Sequence, residues 1–152
     1  ANEPDIAYAY IFSRFKGEEW RTQKLIPQLL REYFTTKPDG IPGNDDTGTM
    51  SAWAIFSMMG FYPDCPGEPS YTLTAPTFEK VTITLDPKWY NGHNELVISK
   101  SGSNENGREA KRDSYDRISG MTLGRKTLKG YRISHEELTR GGELVFRCRA
   151  AK

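Results

Sequence analysis

The sequence predicts an α+β fold in which helices come first and an antiparallel sheet or sandwich portion follows. Three observations support this prediction. Apolar residues recur at helical spacing up to about residue 60. After Pro63 the pattern changes to alternating apolar and polar residues, which is typical of strands. Gly, Pro and Asn separate these alternating runs. We therefore expect a helical part over residues 1–62 and a β-sheet part over residues 63–152.

The composition restricts the classes of partner. The chain has 152 residues, of which 36% are hydrophobic, and this is enough for a folded domain with a modest core. The 21 basic residues are balanced by 20 acidic ones, and no concentrated basic surface is evident, so we expect no nucleic-acid partner. No apolar run approaches the length of a bilayer, so we expect no membrane partner either.

Three helices are predicted in the first part of the chain. The first runs from Ile6 to Phe15 and ends before Gly17. The second begins at Glu18 and Glu19, whose charges suit a helix N-terminus, and Pro27 should bend it. The expected buried sides consist of Ile6, Tyr10, Ile11 and Phe15 in the first helix, and Trp20, Leu25, Leu29, Leu30 and Tyr33 in the second.

The third predicted helix runs from about Thr49 to Gly60. It is apolar nearly all round, so we expect it to be buried on most sides, as in a larger helical assembly. In the second part of the chain, strands are predicted over residues 80–85, 95–98, 115–123 and 143–147, with a helical turn over residues 135–138 that Ser134 caps.

The loop before the third helix carries the most informative polar residues. Asn44, Asp45 and Asp46 follow one another between glycines. Adjacent carboxylates repel each other, so a site that holds both ionised needs a cation or strong hydrogen-bond donors. Oxygen ligands of this kind suit calcium. The residues alone slightly favour a second interpretation, in which Asp45 and Asp46 only cap the third helix, because Asp before a helix is common.

An EF-hand is excluded as an account of this loop. Asn44, Asp46 and Gly48 imitate the start of such a loop. The closing acidic ligand would, however, fall at Ile55, and Gly48 stands one place too early for the required turn.

The run from Pro38 to Trp53 resembles the most recognisable motif of glycoside hydrolase family 92, the calcium-dependent exo-α-mannosidases. Other segments resemble the family in the same order along the chain. They are Asn2-Glu3-Pro4, Trp20-Arg21-Thr22-Gln23, Gly60-Phe61-Tyr62-Pro63, Cys65-Pro66-Gly67, Tyr71-Thr72-Leu73, residues 76–81, residues 133–138 and residues 141–144. The resemblance covers nearly the whole chain and is weakest over residues 87–131.

The resemblance implies a larger protein. Family members are several times longer and combine an N-terminal β-sandwich with an (α/α)6 barrel, with the active site between them. Residues 1–62 would then be the last helices of the barrel, and the missing sandwich and the rest of the barrel would be partners of this chain. The family releases terminal α-linked mannose, most often α-1,2-linked, from glycans, and its usual setting is secreted or periplasmic.

The resemblance also implies roles for individual residues. An inverting glycosidase needs a carboxylic acid that protonates the leaving oxygen and a carboxylate base that activates water. The motif implies Asp46 as this base, with Asp45 or Asn44 helping to position the water, and it implies Asn44 and Glu3 as sugar-binding residues. Asp46, Asn2 and Glu3 would be ligands of calcium. The general acid is a Glu that lies upstream in the family, so we expect this chain alone to be inactive.

The resemblance fails at one position near the expected site, because Ala7 stands where the family often has a His. This leaves in doubt any contact made there.

Two other functions remain as alternatives. The chain could be a non-catalytic carbohydrate-binding or structural module of the same fold, or a small calcium-binding protein. The intact Asn44-Asp45-Asp46 loop favours the enzyme, because a binding module needs no base. Trp20 and Trp53 are expected in the core, whereas Trp89 is expected in an exposed turn.

Overall fold

The fold is known from a computed structural model that describes residues 2–102 and 116–150. The helices are α1 (Glu19–Tyr33), α2 (Thr49–Met59) and α3 (His135–Thr139), preceded by two 3-10 segments, Glu3–Asp5 and Ile11–Arg14. The strands are β1 (Phe61–Tyr62), β2 (Ser70–Leu73), β3 (Lys80–Thr84), β4 (Glu95–Ser101), β5 (Asp116–Leu123), β6 (Lys126–Thr127), β7 (Arg132–Ser134) and β8 (Gly142–Ala150). None of the helices in these two ranges is long and apolar enough to cross a membrane.

The strands form two sheets. One is antiparallel with the order β1-β2-β7, and the other has the order β3-β4-β8-β5-β6. In the second sheet β4 and β8 are parallel, with Leu96 opposite Gly142 and Ser101 opposite Arg147. The prediction of a purely antiparallel sheet is therefore wrong at this pair. A parallel pair requires a long crossover connection, and the whole stretch from β5 to α3 separates the two strands.

The predicted first helix does not form as an α-helix. Its residues adopt the two 3-10 segments joined by turns, and Ile11 and Phe15 are 51% and 57% exposed. The carbonyl of Ile6 accepts a hydrogen bond from the indole nitrogen of Trp53 at 3.0 Å. In an α-helix that carbonyl would accept from the amide of Tyr10, which instead donates to Ala7 at 3.0 Å. The tertiary contact with α2 therefore replaces a helical hydrogen bond.

α1 has the predicted start and continues through Pro27, and the predicted burial is confirmed for Leu30 and in part for Leu25 and Leu29. Its buried residues are Thr22, Gln23, Ile26 and Leu30. Trp20 and Tyr33, which were expected to be buried, are 46% and 47% exposed. The buried polar side chains have specific partners, since Thr22 donates to the carbonyl of Ala9 at 2.8 Å and Gln23 to that of Leu73 at 2.8 Å. These contacts decide the face that α1 turns inward.

α2 has the predicted bounds and lies at the centre of the helical part. Trp53 and Ala54 are buried, whereas Ile55 is 57% exposed, so the helix is less enclosed than predicted. Trp53 stacks on Phe34 with ring centroids 5.4 Å apart. The cluster around α2 comprises Ala9, Tyr10, Ile26, Leu30, Trp53, Ala54 and Tyr62. Phe56 packs against both this cluster and the core between the sheets, so α2 links the two cores.

An ion-pair group joins the helical part to the antiparallel sheet. Only 4% of the Asp64 side chain is exposed, and its carboxylate accepts from Arg14 at 2.9 Å, from Thr72 at 3.0 Å and from Arg132 at 3.3 Å. Arg14 belongs to the second 3-10 segment and Arg132 to β7. The division of the chain at residues 62/63 stays a prediction, and these contacts lie directly beside it.

Gly60, which follows α2, provides a test of the fold. Its φ is 96°, and a Cβ atom there would lie 2.9 Å from the carbonyl oxygen of Thr74. We expect Gly60→Ala to lower the free energy of unfolding by roughly 1–3 kcal/mol, because both the backbone conformation and the contact oppose a side chain. Urea unfolding measures this loss.

Gly67→Ala is the matched control, because a Cβ at Gly67 meets nothing within 4 Å. An equal loss of stability in both variants would contradict the interpretation of Gly60.

Candidate functional site

The loop that joins α1 to α2 begins with a tight turn at Gly40. The carbonyl of Gly40 accepts from the amide of Thr35 at 2.9 Å, and its own amide donates to the carbonyl of Lys37 at 2.9 Å. A Cβ atom at this position would lie 2.1 Å from the carbonyl oxygen of Thr35. Only glycine fits here, so the turn sets the direction in which the chain enters the Asn44-Asp45-Asp46 segment.

Three consecutive residues of the loop adopt the left-handed conformation. The φ angles are 47° at Asp46, 61° at Thr47 and 89° at Gly48. Glycine tolerates this conformation, whereas for a β-branched residue such as Thr47 it is a true outlier. Each strained residue costs on the order of 1–3 kcal/mol and persists only when surrounding contacts hold it.

The contacts that hold this turn come from the first turn of α2. The Asp45 carboxylate accepts from the Ser51 amide at 2.8 Å and from the Ser51 hydroxyl at 3.0 Å. The carbonyl of Asp45 accepts from the Met50 amide at 3.1 Å, and that of Asp46 accepts from the amide and the hydroxyl of Thr49 at 3.2 and 2.7 Å. Three amides that would otherwise lack helical partners are thus satisfied.

The two adjacent aspartates therefore differ in their surroundings. Asp45 is half-buried and caps α2 from outside the usual N-cap position, which Gly48 occupies. Asp46 is exposed, and its carboxylate accepts no hydrogen bond from residues 2–102 or 116–150. Asn44, beside them, is also exposed. The capping interpretation thus holds for Asp45, whereas the Asp46 carboxylate stays available to water or a ligand.

The N-terminal segment lies against the same helix. A cavity of about 300 Å³ separates the two, and only Asn2 among the predicted site residues lines it in the part of the chain that is described. The lining consists of Asn2, Asp5, Ile6, Tyr8, Ala9, Leu29, Tyr33, Phe34, Pro42, Met50 and Trp53. Asn2, Pro42 of the loop and Met50 at the start of α2 thus line the same cavity. The arrangement of the predicted site residues around a common site stays a prediction.

Glu3 contributes charge near the aromatic cluster. Burial raises the pKa of Tyr62, and the negative charges of Asp64 and Glu3 raise it further. Burial raises the pKa of Tyr10 still more, and its hydroxyl lies 2.8 Å from that of Ser57. Both phenols are therefore neutral at physiological pH.

The predicted calcium ligands do not form a complete site. Across the described ranges, no group of three or more His, Cys, Asp or Glu side chains lies close enough together to hold a metal ion. Asn2, Glu3 and Asp46 offer the hard oxygen atoms that calcium prefers, but calcium takes about six to eight such ligands. These three side chains alone would therefore fill only part of a calcium coordination shell.

Ser51 is the residue of this site that the sequence did not identify. It lies six positions after Asp45, a spacing that belongs to no standard capping motif. Only the left-handed turn between them brings the two side chains together.

Comparison with known proteins places this loop in a family. The sequence model of the glycosyl hydrolase family 92 catalytic domain matches residues 1–150. A protein of Arthroderma benhamiae named an uncharacterized secreted glycosidase is 33% identical over 82 residues, which is 54% of this chain and 10% of that protein.

Two solved structures from Bacteroides thetaiotaomicron are similar over 97% of the chain. One is a family 92 α-mannosidase in complex with mannoimidazole, with 26% identity and a TM-score of 0.78. The other is a family 92 inverting mannosidase, with 31% identity and a TM-score of 0.76. The chain spans 18% of each of these proteins. Because the family match extends over nearly every residue, the chain belongs to glycosyl hydrolase family 92.

Proposed function

We propose that this chain forms the base-side part of an inverting α-mannosidase that removes terminal α-linked, most often α-1,2-linked, mannose from glycans. One observation carries the proposal. Of two adjacent carboxylates, Asp45 is fixed by Ser51, whereas Asp46 is exposed and unpartnered within the described residues. The α-mannosidase and the inverting mannosidase among the similar structures support the proposed reaction class, and the assignment of Asp46 as the base rests on its surroundings.

In the proposed reaction, Asp46 is the general base. It takes a proton from a water molecule whose oxygen attacks the anomeric carbon, and the bond from that carbon to the leaving oxygen breaks. A carboxylic acid outside this chain protonates the leaving oxygen. A carboxylate can perform this task only when its oxygens are free to accept a proton, which favours Asp46 over Asp45.

The neighbouring polar residues complete our proposal for the site. Asp45 takes part by orienting the catalytic loop, and the exposed Asn44 amide hydrogen-bonds the sugar. Glu3, half-buried near Tyr62, binds a sugar hydroxyl on the opposite wall. These roles require the Asn2 segment and the loop to face the same space. Asn2 and Pro42 of the loop line one cavity, and the other predicted site residues lie outside its lining.

We also propose that calcium binds with Asn2, Glu3 and Asp46 among its ligands, together with oxygen atoms from outside this chain. When bound, calcium would supply positive charge that polarises sugar hydroxyls and water. The oxygen chemistry of these three side chains fits that ion, although their number alone does not.

We propose that this chain packs against the rest of an (α/α)6 barrel and an N-terminal β-sandwich of the same protein. Within the described ranges, nine large hydrophobic residues are exposed, and seven of them precede residue 62. These seven are Tyr8, Ile11, Phe15, Trp20, Tyr33, Ile41 and Ile55. Exposed apolar residues concentrated on one part of a fold mark a surface that packs against other protein.

We also propose that the protein is secreted, because the Arthroderma benhamiae relative is named a secreted glycosidase.

The base assignment is tested in the complete enzyme with Asp46→Asn. We expect kcat for mannose release to fall by roughly a thousandfold or more, because the amide cannot accept the proton from water. Asp39→Asn is the matched control, since Asp39 is another exposed aspartate of the same loop. Wild-type activity of the Asp46→Asn variant would refute the base assignment and place the base at another residue.

A further prediction concerns the isolated chain. The 152-residue polypeptide should release no measurable mannose from an α-1,2-linked substrate, because its general acid lies elsewhere. A sensitive assay of released mannose compares it with the complete enzyme at equal concentration. Hydrolysis by the isolated chain that disappears in Asp46→Asn would show that a full acid–base pair lies within these residues.

Calcium is tested separately by chelation of the complete enzyme. We expect EGTA to abolish most of the mannosidase activity and added calcium to restore it, because this chain's oxygen ligands need an ion to complete the site. Undiminished activity after exhaustive chelation, with calcium removal verified by atomic emission, would remove the ion from the proposal.

A further inference from the structure

We infer that Ser51 is a positioning residue, which aims the Asp46 carboxylate by holding Asp45. This inference rests on the proposed function, because it assigns a role in the same reaction. Ser51 is half-buried on the first full turn of α2 and contacts no part of Asp46 through its own hydrogen bonds. Its effect on the base is therefore indirect.

The two donors of Ser51 use both oxygens of one carboxylate. The amide donates to Oδ1 of Asp45 and the hydroxyl to Oδ2, at 2.8 and 3.0 Å. Two parallel hydrogen bonds fix the plane of the carboxylate as well as its position, which one bond would not do. The Asp45 backbone is held at the same time, because its carbonyl accepts from Met50 at 3.1 Å.

Asp46 is consequently fixed on both sides. Asp45, the residue before it, is held by Ser51 and Met50. The carbonyl of Asp46 accepts two hydrogen bonds from Thr49. Its backbone keeps a φ of 47°, a conformation that a free loop would leave. The direction of the Cα–Cβ bond of Asp46 is thereby set, and only the rotation of the side chain remains.

Ser51 is suited to this task because α2 is well anchored. Met50 and Trp53, on either side of it, are 3% and 4% exposed, and the Trp53 indole is hydrogen-bonded to Ile6. A catalytic group aimed from a packed helix keeps its geometry better than one supported only by its own loop. The hydrogen bond from the Ser51 hydroxyl thus ties the loop to the packed helix and restricts the loop's motion.

The first test compares Ser51→Ala and Ser51→Thr in the complete enzyme. We expect Ser51→Ala to lower kcat by roughly ten- to a hundredfold with KM changed less than twofold, since misplacement of a catalytic group by about 1 Å has effects of this size. Ser51→Thr keeps the hydroxyl and should retain kcat within about threefold, because the same hydrogen bond can form.

Ser57→Ala is the matched control for general destabilisation. Ser57 lies on the same helix, is buried, and bonds Tyr10 rather than the loop. The Ser57→Ala substitution should lower the melting temperature at least as much as Ser51→Ala does, and it should leave kcat unchanged. An equal fall in kcat in both variants, or a Ser51→Thr enzyme as slow as Ser51→Ala, would overturn the positioning role.

A double-mutant cycle separates this inference from the base assignment. If Ser51 acts through Asp46, the double variant Asp46→Asn/Ser51→Ala should be no slower than Asp46→Asn alone. Multiplicative losses would show that Ser51 acts elsewhere and would overturn the inference while the base assignment stands. Wild-type activity in Asp46→Asn would instead refute the base, whatever the result for Ser51.

Discussion

The geometry of the candidate site depends on the pair of hydrogen bonds that Ser51 donates to Asp45. Together with the hydrogen bonds from Met50 and Thr49, they hold an aspartate and a β-branched threonine in consecutive left-handed conformations. The same contact satisfies the amide of Ser51 at the start of α2. One carboxylate therefore stabilises both the helix and the strained turn, and it leaves the next carboxylate exposed. This division between a structural and an available aspartate is what makes the loop a candidate for catalysis.

The rest of the fold keeps α2 in place. The aromatic residues of α2 pack in a cluster in which Tyr10 stacks on Tyr62 with ring centroids 4.7 Å apart. Phe56 connects this cluster to the core between the sheets, and Asp64 joins the second 3-10 segment to β7 through Arg14 and Arg132. The site thus stands on a helix supported from both parts of the chain. This helix holds the backbone of Asp46, whose side chain is exposed.

The errors in the predicted fold share a physical cause. Periodicity placed Trp20 and Tyr33 inside because they are large and apolar, yet α1 buries Thr22 and Gln23, whose hydrogen bonds to Ala9 and Leu73 are long-range contacts. The predicted first helix does not form as an α-helix, and the Ile6 carbonyl accepts its hydrogen bond from the distant Trp53 indole instead. The parallel pairing of β4 with β8 likewise depends on partners distant in sequence. Such contacts leave no trace in a local pattern.

The sequence by itself determined the local features: the bounds of α2, the Ser134 cap of α3, the positions of β3, β4, β5 and β8, and a glycine-framed acidic loop whose order of residues resembles one family. These local features depend on the propensities and the spacing of residues that lie within a few positions of one another in the sequence. Tertiary structure alone decided which of the two aspartates is held and which is exposed. That choice depends on a left-handed turn that brings Ser51 back to Asp45, and chemically identical side chains can be distinguished only by their surroundings in space.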